Sequence, residues 1–146
     1  MKYRLLFLCT GNSCRSQMAE GWTSRLWPDV FDVCSAGLVA HGLNQKAVQV
    51  MAEKGIDISG HTSKTLKELP RTPFDFVVTV CGHAAESCPI FPGQTKKFHQ
   101  GFEDPPKLAE TAKTDEEALN HYRKVRDEIG EFVKNLPAFL HIDMRS

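Results

Sequence analysis

Residues 5–16 read Leu5-Leu6-Phe7-Leu8-Cys9-Thr10-Gly11-Asn12-Ser13-Cys14-Arg15-Ser16, and this stretch decides the fold. The apolar run from residue 3 to residue 9 has the length of a buried strand. It stops at Thr10-Gly11-Asn12. From Ser13 to about Leu26 the pattern turns helical, with Met18, Trp22 and Leu26 on one face at i, i+4 and i+8, and Pro28 ending it. A strand that passes through a tight loop into a helix opens an α/β fold.

The same alternation continues outward. Val30 to Ser35 reads as a second strand. Leu43, Ala47, Val50 and Met51 mark an amphipathic helix that stops at Gly55. Residues 74–80 (FDFVVTV) are rich in β-branched and aromatic residues and read as a strand. Lys96 to His99 reads as a short fourth. Thr114 and Glu117 form a capping-box pattern. Ala118, Tyr122, Val125, Ile129, Phe132 and Leu136 follow as one stripe, and Pro137 is expected to stop that helix. Strands alternating with helices predict a parallel sheet covered on both faces, in a single domain over residues 1–146. Ligands of such sheets bind beyond the carboxyl ends of the strands. Cys9 ends the first strand and Cys81 follows the third.

The loop itself is C-x5-R-S. A tight turn between strand and helix aims successive backbone N–H groups at one point, and the helix N-terminus adds positive potential. A tetrahedral oxyanion fits such a cradle, and Arg15 offers a planar fork for two of its oxygens. Gly11 is expected to allow a backbone turn that a side chain would hinder. The same field is expected to depress the pKa of Cys9, and Ser16 is placed to hydrogen-bond its thiolate. The competing description is a buried strand-end cysteine followed by an ordinary helix cap.

Composition narrows the function. The 146 residues carry 18 basic and 18 acidic side chains, so no basic excess points to nucleic acid. No segment approaches the ~20 apolar residues that span a bilayer. The run at residues 5–8 is too short for a signal peptide. A cytoplasmic protein is expected, and in that compartment five cysteines at 9, 14, 34, 81 and 88 are more often catalytic, redox-active or buried than cross-linked.

Residues 9–20 (CTGNSCRSQMAE), with FDFVVTVCG at 74–82 and GFEDPP at 101–106, closely resemble the low-molecular-weight protein tyrosine phosphatase superfamily. More narrowly, they resemble its thioredoxin-coupled arsenate reductases. The resemblance spans nearly the whole chain. It implies a three-layer sandwich with a four-stranded parallel sheet. It makes Cys9 the nucleophile, Thr10, Gly11, Asn12, Ser13, Cys14 and Arg15 the oxyanion-binding loop, and Ser16 the support of the thiolate. It places the general acid on Asp104, the aspartate before proline; the residues alone do not choose between Asp104, Glu103 and an ordinary turn.

Cys81 and Cys88 form a C-x6-C pair. By themselves they could be two unrelated cysteines. Beside the Cys9 loop the resemblance implies a relay: Cys9 binds arsenate covalently, Cys81 attacks Cys9 as arsenite leaves, and Cys88 takes over the disulfide. If 81–88 were helical, their Cα atoms would lie roughly 10 Å apart, whereas a disulfide needs about 7 Å or less. A loop or short helix that reorganises on oxidation is therefore expected.

The resemblance further implies thioredoxin as electron donor, phosphate as a competing anion, a role in arsenic detoxification and no organic cofactor. A monomer is expected. Residual phosphatase activity fits the shared loop. Some superfamily members hold potassium through Asn, Glu, Ser and Asp oxygens. Asn12, Glu20 and Ser35 match three of these, but Lys64 aligns with the Asp, where an ammonium could replace the cation electrostatically, so no metal site is expected. A tyrosine phosphatase is the alternative enzyme. Against it stand the cysteine pair and the Pro106-Lys107 that follow Asp104-Pro105, where such phosphatases carry aromatic residues. A non-catalytic oxyanion or redox sensor is a third possibility, and it has no use for an acid.

Overall fold

The computed structural model describes residues 2–69, 73–88, 91 and 93–144. Four strands, β1 (Tyr3–Cys9), β2 (Phe31–Gly37), β3 (Phe76–Thr79) and β4 (Lys96–His99), form one parallel sheet in the order β2-β1-β3-β4. Helices flank it: α1 (Arg15–Leu26), α2 (Gln45–Ala52), α3 (Gly82–Glu86), α4 (Pro105–Leu108), α5 (Asp115–Lys134) and α6 (Leu136–Phe139). The expected architecture is thus present, with strand and helix ends within two or three residues of those read from the sequence.

Leu5 to Cys9 are all buried because β1 has a neighbour strand on each side and helices over the sheet. The first connection runs from β1 to β2 on one side, whereas β3 adds to β1 on the other. The order therefore reverses between β1 and β3, which is where open α/β sheets leave a crevice. Leu8 pairs with Thr79, so Cys9 and the segment leading to Cys81 emerge side by side at that crevice.

Helix α1 buries Ser16, Gln17, Met18, Ala19, Gly21 and Thr23, a broader and more polar face than the apolar triplet alone suggests. Its two tryptophans tie it to α5: Trp22 Nε1 donates to the Arg126 carbonyl at 3.0 Å and Trp27 Nε1 to Val133 at 2.8 Å. Thr114 caps α5 by accepting from Glu117 N at 3.1 Å. The reciprocal half of the box goes to Lys113 N, at 3.2 Å from Glu117 Oε2. Pro137 does not stop α5. The helix ends at Lys134, and Pro137 sits in the first turn of α6, where the missing N–H costs no hydrogen bond.

Candidate active site

The anion loop is held from outside by its carbonyls. Leu38 N donates to Cys9 O at 3.2 Å, Val39 N to Thr10 O at 3.0 Å, His41 N to Gly11 O at 2.9 Å and Asn44 N to Ser13 O at 2.9 Å. Gln17 Nε2 donates to Asn12 O at 3.2 Å and Met18 N to Cys14 O at 2.9 Å. With every carbonyl from Cys9 to Cys14 engaged, the amide dipoles of the loop are fixed as a set, which is the preorganisation an anion cradle needs.

Two glycines permit this packing. A Cβ on Gly37 would stand 2.3 Å from Val39 O and 2.8 Å from both Asn12 N and Thr10 O, so the end of β2 can press against the loop only without a side chain. At Gly11 the neighbour is the His41 ring, with Nδ1 2.5 Å from an added Cβ. A side chain at Gly11 is thus hindered, as expected. The value of this glycine is close approach, and the residue with left-handed backbone is Asn12, at φ 48°. The 37–44 segment was not foreseen as part of the site; the glycine closing strand two was its one sequence signal.

Cys9, Thr10, Gly11, Ser13, Cys14, Arg15 and Asp104 line a pocket of about 470 Å³, with His41, Asn44 and Pro106 among its other walls. Arg15 Nη1 donates to the Phe102 carbonyl at 3.0 Å, and Nη2 stands 3.8 Å from Asp104 Oδ1. The side chains of Asn12 and Ser16 lie behind the loop and are fully buried. Ser16 Oγ accepts from Asn12 Nδ2 at 3.0 Å, while the hydrogen bonds at the Cys9 sulfur involve Cys81 and the Thr10 N–H.

Cys81 is brought against Thr10 of the loop. It caps α3, accepting from Ala84 N at 3.4 Å, and its sulfur is 3.1 Å from Thr10 Oγ1. The Cys9 and Cys81 thiols act on each other's titration. Cys81, followed by burial, pushes the Cys9 thiol well above its ordinary range, against the opposing pull of Arg15. Cys81 is held down to about 5, first by the Cys9 thiol and then by Thr10 and the Ala84 N–H. The expected depression of Cys9 is not found: the lowered member of the pair is Cys81, and the two thiols titrate as one coupled pair. Cys88 lies two residues beyond α3, half-buried, and burial raises its pKa while the Lys97 ammonium lowers it. Burial raises Cys14 and likewise lifts Cys34 to about 11. His83 is exposed on α3.

The polar cluster behind the loop does not fit a cation. Asn12 Oδ1 accepts from Lys64 N at 2.8 Å and from Gln17 Nε2 at 3.1 Å. Ser35 Oγ donates to Glu20 Oε1 at 2.7 Å and accepts from Asn12 Nδ2 at 2.9 Å. The remaining Glu20 oxygen faces His61 Nε2 at 3.5 Å. Protein donors already occupy the oxygens that would hold an ion. Nor does Lys64 stand in for one: its ammonium donates to Thr62 O at 3.1 Å, and His61 is the group opposite Glu20.

A thiol at the end of β1, an arginine opening α1 and a facing aspartate around one pocket are the groups a thiol-dependent oxyanion enzyme needs. Residues 4–145 match the low molecular weight phosphotyrosine protein phosphatase family. An arsenate reductase of Halalkalibacterium halodurans is 52% identical over 130 residues, covering 89% of this chain and 91% of its own. One from Bacillus subtilis is 50% identical over 130 residues, with the same coverage of both chains. A solved arsenate reductase in a phosphate-binding state superposes with a TM-score of 0.72 at 33% identity, over 94% of this chain and 98% of that one. The chain belongs to the low molecular weight phosphotyrosine protein phosphatase family, in its arsenate reductase branch.

Proposed function

We propose that the protein reduces arsenate to arsenite by a relay of three thiols, Cys9, Cys81 and Cys88. The observation that carries this reading is the placement of Cys81 against the Cys9 loop, with its sulfur 3.1 Å from Thr10 Oγ1 and its titration coupled to that of Cys9. Hydrolysis of a phosphate ester needs one thiolate at the anion loop. A second sulfur held as thiolate against the first has a use when electrons must be delivered in pairs.

Arsenate docks on the loop N–H groups and the Arg15 fork. Cys9 gives its proton to the Cys81 thiolate and attacks arsenic. Hydroxide departs as water with a proton from Asp104, leaving a Cys9 S–As bond. Cys81, its sulfur still facing the Thr10 hydroxyl and the Ala84 N–H, passes its proton to an oxygen of the departing arsenic group and attacks the Cys9 sulfur. The S–As pair stays with arsenic, which falls from As(V) to As(III) and leaves as arsenite. The two sulfurs, each oxidised by one electron, are joined as a disulfide. Cys88 as thiolate then attacks the Cys81 sulfur and releases Cys9 as thiolate.

Once Cys81 is in a disulfide its sulfur no longer carries the charge that Thr10 and Ala84 N bind, so α3 loses its cap as it must unwind. The Cys81–Cys88 bond is reduced by an external dithiol protein, thioredoxin by family kinship. Phosphate, with the same shape and charge, competes for the loop, and phosphoester hydrolysis is a slow side reaction. A monomeric cytoplasmic enzyme of arsenic detoxification completes the reading.

The test is NADPH consumption with arsenate, thioredoxin and thioredoxin reductase. Sustained oxidation matched by arsenite release is expected. No turnover of arsenate beside rapid phosphotyrosine hydrolysis would replace this reading with a phosphatase.

A further inference from the structure

Thr79 is a buried hydroxyl that the thiol relay does not use. It closes β3, two residues before Cys81, and is 4% exposed. Its Oγ1 lies 2.7 Å from Nδ1 of His99, its register partner on β4, and 3.4 Å from the Phe98 carbonyl. With the hydroxyl hydrogen directed at that carbonyl, Nδ1–H is the donor in the shorter bond. A largely exposed histidine is thereby pinned at the foot of the 100–104 segment.

The other edge of the ring meets Gly101. Nε2 lies 3.3 Å and Cε1 3.7 Å from where a Cβ on Gly101 would stand, so the imidazole covers the side of Gly101 that a side chain would occupy. Around this point Gln100 N donates to Thr79 O at 2.9 Å and Phe102 N to Val80 O at 3.2 Å. Phe102 then turns its carbonyl to Arg15 Nη1 at 3.0 Å, and Asp104 follows two residues on.

We propose that His99 is a positioning residue for the oxyanion site. Clamped by Thr79, its ring buttresses Gly101 and fixes the Phe102 carbonyl, and through that carbonyl the Arg15 guanidinium. The proposal rests on Arg15 being the anion fork. It concerns binding and the first displacement, not the thiol exchanges. Arg15 has no other main-chain tether to this loop among the described hydrogen bonds, so its fork follows Phe102. A displacement of about an ångström at such a group can cost up to ~100-fold in rate, and a loosened brace should cost roughly 10-fold.

The test uses His99→Leu, His99→Asn and Thr79→Val in the full chain, with inorganic phosphate as probe. Phosphate affinity is read by calorimetry and by protection of Cys9 from alkylation, beside kcat/KM for arsenate. His99→Leu should weaken phosphate and lower kcat/KM by roughly 10-fold. His99→Asn, which keeps an N–H donor near the place of Nδ1, should recover to within about 3-fold of wild type. Thr79→Val should match His99→Leu, and the double variant should lose no more than either, as expected for one link. Phosphate affinity in His99→Leu within about 2-fold of wild type, or an Asn variant as impaired as the Leu one, would overturn the proposal. If His99→Leu does not fold, wild-type phosphate affinity in Thr79→Val overturns it equally. Phosphate shifts as expected in a protein that turns over no arsenate would count against the reductase reading and leave the brace standing.

Discussion

Thr10 Oγ1 stands 3.1 Å from Cys81 Sγ, so a residue of the loop that follows Cys9 turns its side chain toward the second sulfur. The loop backbone serves the oxyanion while this hydroxyl serves the thiolate. Thr10→Val keeps the shape and removes the donor. A hydrogen bond to a charged group is worth about 1.5–3 kcal/mol, so the Cys81 titration, about 5 in the wild type, should move upward. Thiolate absorbance near pH 6 should fall in Thr10→Val and return in Thr10→Ser. An unmoved titration would show that the contact does not stabilise the thiolate.

Asp104 faces Arg15 across the pocket at 3.8 Å. As the acid for departing hydroxide it should be replaceable for binding but not for turnover. Asp104→Asn is expected to lower kcat for arsenate roughly 100-fold or more, with competition by phosphate retained. Equal losses in kcat and in phosphate affinity would assign Asp104 to binding.

Gly37 and Gly11 should differ in what relieves them. Alanine at 37 meets backbone atoms of Val39, Asn12 and Thr10, which cannot step aside without moving the loop. Alanine at 11 meets the His41 side chain, which can be removed. Gly37→Ala should abolish phosphate binding in calorimetry. Gly11→Ala should be impaired alone and largely restored by His41→Ala. Rescue failing at 11, or tolerance at 37, would contradict the packing described.

Glu53 ties α2 to α5 through Arg123 at 2.7 Å and Arg126 at 2.7 Å. The Arg123 hydrogen bond first, then that of Arg126, holds its carboxyl down to about 2. A depressed folded-state pKa contributes stability above the unfolded value and loses it as pH falls through the folded one. Glu53→Gln should cost on the order of 1 kcal/mol at neutral pH, the pair being open to water. The gap from wild type should close as pH falls from about 4.5 to about 2. Urea titrations across that range test it; a constant gap would mean the loss is packing.

The fold was legible because β1, α1 and α5 follow simple periodicities and the sheet needs only their order. Cys9, Arg15, Cys81 and Cys88 stand out from motif and resemblance, and the placement of Cys9 and Cys81 at one crevice follows from the reversal between β1 and β3. What escaped were contacts between distant segments. His41 and Gly37 reach the loop through main-chain hydrogen bonds that carry no residue signature. The lowered titration of Cys81 depends on a coupling to Cys9 that no spacing encodes. Lys64 was misjudged because alignment gives position along the chain and not the direction of a flexible side chain; His61, three residues earlier, takes the place facing Glu20.

The relay is tested most directly by mapping disulfides after one equivalent of arsenate, in wild type and in Cys88→Ser. Mass spectrometry of acid-quenched peptides should find Cys81–Cys88 in the wild type and Cys9–Cys81 in the variant, each with one arsenite released. A Cys9–Cys14 bond in either protein, or arsenite release with no bond at Cys81, would contradict the account.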